Sequence, residues 1–222
     1  MALKLYFSPG ACSFVPHCLL ELAGASFEPV MIKLHKGEHR QPEFKAINAQ
    51  GQVPVLVDGE RVLTQILAIT VYLDGLFPQA HLLPSDLFER AKVLQMLAWM
   101  NNTAHPTFTH VFRPSNYSPE PQVQADIKAH ATEHYRAHLQ TLDAFVAQRL
   151  QHGGPWLAGE FAGPLDAYAL TLCRWGTIAG LEPHQFPALW AHVQQVALQP
   201  DIARAVATER LVLNTLESPP KT

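Results

Sequence analysis

The sequence predicts a small α/β domain ordered βαβαββα over residues 1–80, then an all-helical domain over 87–215, joined by a linker at 81–86. Three observations carry that reading. Short apolar runs of strand length alternate with helical stretches through the first 80 residues. After Pro78 the strand signals stop and long helical patterns take over, punctuated by Pro- and Gly-rich breaks. The stretch between the two regimes, FPQAHLLPSD, mixes prolines with polar residues, as linkers do.

The elements follow in order. LKLYF (Leu3 to Phe7) reads as a strand. A helix begins at about Ser13, tolerates Pro16 in its first turn and stops near Gly24. FEPVMIKL (Phe27 to Leu34) is a second strand, and the helix between the two implies parallel pairing. QPEFKAIN gives a short helix. PVLVDGERVL is a hairpin around Asp58-Gly59, a strong turn pair. From about Gln65 a helical apolar face recurs at Ile66, Ile69, Leu73 and Leu76. The later helical patterns run from about Leu87 to Val111, Pro121 to Gln151, Pro164 to Ala179 and Pro187 to Ala197, and ESPPKT reads as a loose tail.

Composition excludes several functions. The 222 residues carry a formal net charge of −3, without the basic patch that nucleic acid demands. No apolar run reaches the roughly 18 residues of a membrane span. The N-terminus lacks a secretory leader's basic segment, apolar stretch and cleavage site. Cys12, Cys18 and Cys173 are too sparse for a disulfide scaffold and point to a reducing, cytoplasmic setting. The fourth position from Cys12 is Val15, so there is no CxxC and any redox role of Cys12 is monothiol.

Cys12 follows the turn signal Ser8-Pro9-Gly10 and precedes a helix. A helix N-terminus offers unpaired N–H groups and a positive dipole end, which favour a thiolate. Cys18 and Cys173 lie in apolar helical surroundings and read as core. His130, His134 and His138 recur every four residues along one helix face. That spacing suits a chelated metal ion, but no cysteine or carboxylate completes a ligand set, so no metal is expected. Trp99, Trp156, Trp175 and Trp190 read mostly as core, with Trp99 placed to border an apolar pocket.

The domain order, together with LYFSPGACSFVPH, FKAINAQGQVPVL, VLTQILAITVYL, FAGPLDAYAL and CRWG in that sequence, resembles the cytosolic glutathione S-transferase family, most closely its bacterial beta class. The likeness runs from about Leu3 to about Ala197. It implies a thioredoxin-like first domain and glutathione as co-substrate. The implied reaction is conjugation to an apolar electrophile in detoxification, or thiol/disulfide exchange through Cys12. It also implies a cytoplasmic homodimer, without nucleic acid or membrane as partner. The alternative is a non-catalytic or altered-ligand binding module on the same fold.

By that resemblance Cys12 holds or attacks the sulfur and His105 assists. Val53, with Gln52 alongside, precedes a cis-proline at Pro54 and pairs with the peptide, and Gln65 binds it from the next helix. Tyr6 and Ser13 are further hydroxyls near the sulfur, and Lys36 lies at the glycine end. Three positions depart from the family pattern: Ile66 stands for a serine, Pro106 for a lysine and Ala98 for an asparagine. Hydrogen bonds to charged groups contribute ~1.5–3 kcal/mol, so losing the serine weakens glutathione binding by roughly 10- to 100-fold. Gly163 and Pro164 replace the usual N-cap of the helix-nucleating motif, with Asp166 retained.

Overall fold

A computed structural model describes residues 3–152 and 154–217. Strand β1 (Leu3–Phe7) buries Leu3, Leu5 and Phe7 on one face, the period-2 pattern of its sequence. It pairs in parallel with β2 (Phe27–Met31) and antiparallel with β3 (Val55–Asp58), and β3 pairs antiparallel with β4 (Arg61–Thr64). The sheet order is β2-β1-β3-β4, the thioredoxin-like arrangement. The hairpin register sets Asp58 opposite Arg61, leaving Gly59-Glu60 as the two-residue loop. Gly59 supplies the positive φ, +60°, that such a loop needs at its first position.

Helices α1 (Phe14–Leu22) and α3 (Ile66–Leu76) cover one sheet face, where Leu19, Leu20, Ile69 and Leu73 join Leu5 and Leu56. On the other face Phe44 of α2 (Pro42–Ile47) packs with Ile32, Val53 and Val55. Two expectations need correction. Strand β2 ends at Met31, three residues early, because Lys33 to Arg40 turn as two short 3₁₀ segments and the Glu38 carboxylate accepts the Lys33 N–H at 2.7 Å. Leu76 is exposed, and Phe77 packs against the sheet core instead.

The middle of the linker at 81–86 is packed. Leu82 and Leu83 are buried, the Leu83 N–H donates to Asp74 Oδ1 at 3.0 Å, and Arg90 pairs with the same carboxylate group at 2.7 Å. Asp86 then caps α4 (Leu87–Trp99), accepting from the N–H groups of Phe88 and Glu89. The chain continues through a π-helical turn, Met100–Ala104, into α5 (His105–Phe112). Proline has no N–H, and its ring clashes with the carbonyl four residues back. The wide turn ahead of Pro106 accommodates both demands, so the helix continues where a proline ordinarily stops it.

Helix α6 (Pro121–His152) and α7 (Pro164–Ile178) follow, α7 being buried on nearly every side. Asp166 organises its start. One carboxylate oxygen accepts the Gly163 N–H at 2.9 Å; the other accepts the Leu157 N–H at 3.0 Å and lies 2.8 Å from His192 Nε2. All of this is buried, so Asp166→Ala is expected to lower the unfolding free energy by about 3 kcal/mol in a urea titration. Helices α8 (Pro187–Leu198) and α9 (Pro200–Glu209) close the bundle, and α9 packs on α1. The sequence reading has no helix at α9, and of its tail at 217–222 only Glu217 is among the described residues. No helix among the described residues is long and apolar enough to cross a membrane.

Candidate active site

The turn that carries Cys12 is held from several sides. Ser13 Oγ accepts the Ser8 N–H at 3.0 Å and donates to the Ser8 carbonyl at 3.3 Å. Gly10 adopts φ +69°, a backbone conformation that favours glycine, and a Cβ there would push on the Arg174 guanidinium tip 2.6 Å away. The Gly10 N–H donates to Glu209 Oε2 at 2.8 Å, and its carbonyl accepts from Trp175 Nε1 at 2.8 Å. Both anchors come from the helical half. Glu209 Oε1 lies 2.8 Å from His17 Nδ1, and both side chains are buried. Burial pushes the Glu209 carboxyl up, opposed by His17 and the Gly10 N–H. Burial lowers the Arg174 guanidinium, and the Glu209 charge opposes that shift.

Cys12 sits half-buried before the first turn of α1, its Sγ 3.5 Å from the Val53 carbonyl. The Val53–Pro54 peptide bond is cis. Gln52, Val53, Pro54, Gln65 and Ile66 line one cleft with Cys12, and Asn101 and His105 face it from the helical half. The structure thus brings together seven of the ten predicted site residues. Asn48 fixes the loop ahead of the cis bond: its Nδ2 donates to the Gln52 carbonyl at 2.8 Å and its Oδ1 accepts the Gln50 N–H at 3.1 Å.

Three predicted residues stand outside the cleft. The Ser13 hydroxyl is fully buried and committed to Ser8. The Tyr6 ring packs edge-on against Phe44, 5.9 Å between centroids, in the α2-side core. Lys36 is exposed in the 3₁₀ segment Leu34–Lys36 and does not line the cleft. Trp99 lines a different cavity of about 560 Å³ between α4 and α6, with Met96 and Phe145. His130 and His134 approach through Nε2 atoms 3.0 Å apart, whereas His138 turns its Nε2 to Thr107 Oγ1 at 3.2 Å.

Electrostatics correct one further expectation, the thiolate at Cys12. Burial raises the Cys12 thiol to about 12; the N–H groups of Cys12 and Ser13 pull it down, the Glu209 charge adds to the rise, and burial prevails. Cys12 is therefore a resting thiol rather than a thiolate. Burial lowers His105 to about 4, so its imidazole is neutral at physiological pH and is a poor proton acceptor. The sign is definite. Between pH 6.5 and 4 the unfolded chain takes up a proton that folded His105 refuses, so stability falls as pH drops through that window. The loss at this one site reaches about 3 kcal/mol, and His105→Gln is expected to abolish it when urea unfolding is compared at pH 7 and pH 4.

Sequence reasoning missed Glu209, Tyr168 and Asn101. His105 Nδ1 lies 2.8 Å from the Tyr168 hydroxyl, which donates to Asn101 Oδ1 at 3.3 Å. Asn101 sits four residues before His105, a spacing that marks one helix face. Nothing local flags Glu209 or Tyr168, which meet the site through tertiary packing.

Residues 1–75 match the family model described as Glutathione S-transferase, N-terminal domain. Glutathione S-transferase GST-4.5 of Xanthomonas campestris pv. campestris is 32% identical over 210 residues, covering 94% of this chain and all of the relative. A sphingomonad glutathione S-transferase solved in complex with glutathione is 30% identical with a TM-score of 0.80, covering 94% of this chain and 100% of that one. The bacterial beta-class glutathione S-transferase of Sphingomonas chungbukensis is 29% identical with a TM-score of 0.79, over 94% and 100%. The cis-proline cleft, the cysteine turn and likeness along nearly the whole chain converge: this chain is a member of the cytosolic glutathione S-transferase family.

Proposed function

We propose that the protein conjugates glutathione to an apolar electrophile, with Cys12 acting as a neutral thiol that donates a hydrogen bond to the bound sulfur. The observation that carries this reading is the Cys12 thiol beside the Val53 carbonyl and the cis-Pro54 bond, in one cleft with His105. The extended backbone at Gln52 and Val53 pairs with the peptide of glutathione. The bound thiolate gains from the first N–H groups of α1 and from the Cys12 S–H. His105, neutral in this setting, accepts a hydrogen bond from the incoming thiol and orients it. A thiol raised to about 12 is a poor attacking group, which favours conjugation over thiol/disulfide exchange through Cys12.

Ile66 supplies no hydroxyl, but it is buried in the same cluster as Phe14 and Val15. The γ-glutamyl carboxylate then rests on the unpaired N–H groups at the start of α3, with Gln65 beside them. The working form is a two-fold homodimer in the cytoplasm. Calorimetric titration of the reduced protein with glutathione tests the reading. Saturable binding is expected, together with turnover of an apolar electrophile; no heat at millimolar glutathione overturns it. Ile66, Pro106 and Ala98 are the features that favour a non-catalytic module, and likeness to a glutathione S-transferase over 94% of this chain outweighs them.

A further inference from the structure

We infer that Tyr168 is a positioning residue that holds His105 in its Nδ1–H tautomer, so that Nε2 meets a bound thiol as an acceptor. The inference rests on the role proposed above for His105 and specifies how the protein prepares it.

The argument is one of donors and acceptors. Asn101 Nδ2 donates to Asn102 Oδ1 at 2.9 Å, which orients the Asn101 amide and turns its Oδ1 toward α7. The Tyr168 hydroxyl, fully buried, donates to that Oδ1 at 3.3 Å. A phenol has a single proton, so its oxygen faces His105 as an acceptor, and at 2.8 Å the group opposite must be Nδ1–H. Were Tyr168 to donate to His105 instead, two acceptor oxygens would face each other at Asn101. Among the described residues Nε2 has no hydrogen-bond partner, and the ring lines the cleft with Cys12. A neutral imidazole with its proton on Nδ1 carries its lone pair on Nε2.

The backbone builds this alignment. The π turn Met100–Ala104, which accommodates Pro106, carries Asn101 and puts it and His105 on the side that meets Tyr168. Trp175, two turns along α7 from Tyr168, packs on the His105 ring at 4.8 Å between centroids and limits its rotation. The proline that removes the family's lysine thus belongs to the segment that sets the histidine.

Nitrogen-15 NMR of the histidine rings in the ligand-free protein at neutral pH reads the tautomer directly, with His105→Asn used to assign the signal. The wild type is expected to show a proton on Nδ1 of His105. Tyr168→Phe removes the acceptor, and Asn101→Ala frees the Tyr168 hydroxyl to donate to His105. Both are expected to shift the proton toward Nε2. Asn101 is partly exposed, so its variant keeps the test open should Tyr168→Phe fold poorly. A wild-type proton on Nε2, or a folded variant of either kind that keeps the Nδ1–H signal intact, overturns the assignment. The experiment uses no glutathione, so weak binding of that ligand would defeat the proposed function and leave this result standing.

Discussion

Glu209→Ala is expected to lower the free energy of unfolding by about 3 kcal/mol in urea titration, because it removes a buried carboxyl that serves two hydrogen-bonding partners. The carboxylate serves two groups at once. It accepts the Gly10 N–H, and it faces His17, itself wedged between the rings of Phe7 and Phe27 at 5.2 and 5.7 Å. Alanine leaves both donors buried without partners. Glu209→Gln retains an acceptor for Gly10 and removes the charge, so its loss should be less than half as large. A fall below 1 kcal/mol in the alanine variant would mean that Arg174 and Trp175 hold the turn unaided.

The second large effect is on reactivity. At pH 7.5, iodoacetamide should alkylate Cys12 in the native protein about a thousandfold more slowly than an ordinary thiol, because a shift from 9.0 to about 12 cuts the thiolate fraction about tenfold per unit. The sign follows from the direction: the rate should climb about tenfold for each unit of added pH until unfolding intervenes. Cys173 is pushed to about 12 and Cys18 well above its ordinary value, both by burial, so peptide mapping is needed to isolate the Cys12 rate. Rapid labelling of Cys12 at neutral pH would restore the thiolate reading and, with it, a case for disulfide exchange.

These two results mark where the sequence is legible and where it is not. Alternation in LKLYF and PVLVDGERVL places β1, β3 and β4 because each side chain there answers to a single face of the sheet. The Cys12 turn and the proline at 54 are equally local signals. Helix α9 escapes because its buried positions are Ile202, Ala205 and Glu209: the apolar ladder is short and its last rung is a carboxylate. The π turn ahead of Pro106 leaves no trace in the helical pattern that runs from Leu87 to Val111. The Cys12 shift inverts expectation because proximity to a helix end can be counted along the chain, whereas loss of water around the thiol depends on tertiary packing, such as the approach of Val53.

One consequence concerns the order in which the chain is made. The four strands β1–β4 and helices α1–α3 lie within the first 76 residues, yet the N–H of Gly10 bonds to a side chain 199 positions later. The Cys12 turn lacks its native acceptor for that N–H until residue 209 has been made. A chain shorter than 209 residues can therefore assemble its sheet while its cysteine loop stays slack, and the cleft takes its working shape only when α9 docks on α1.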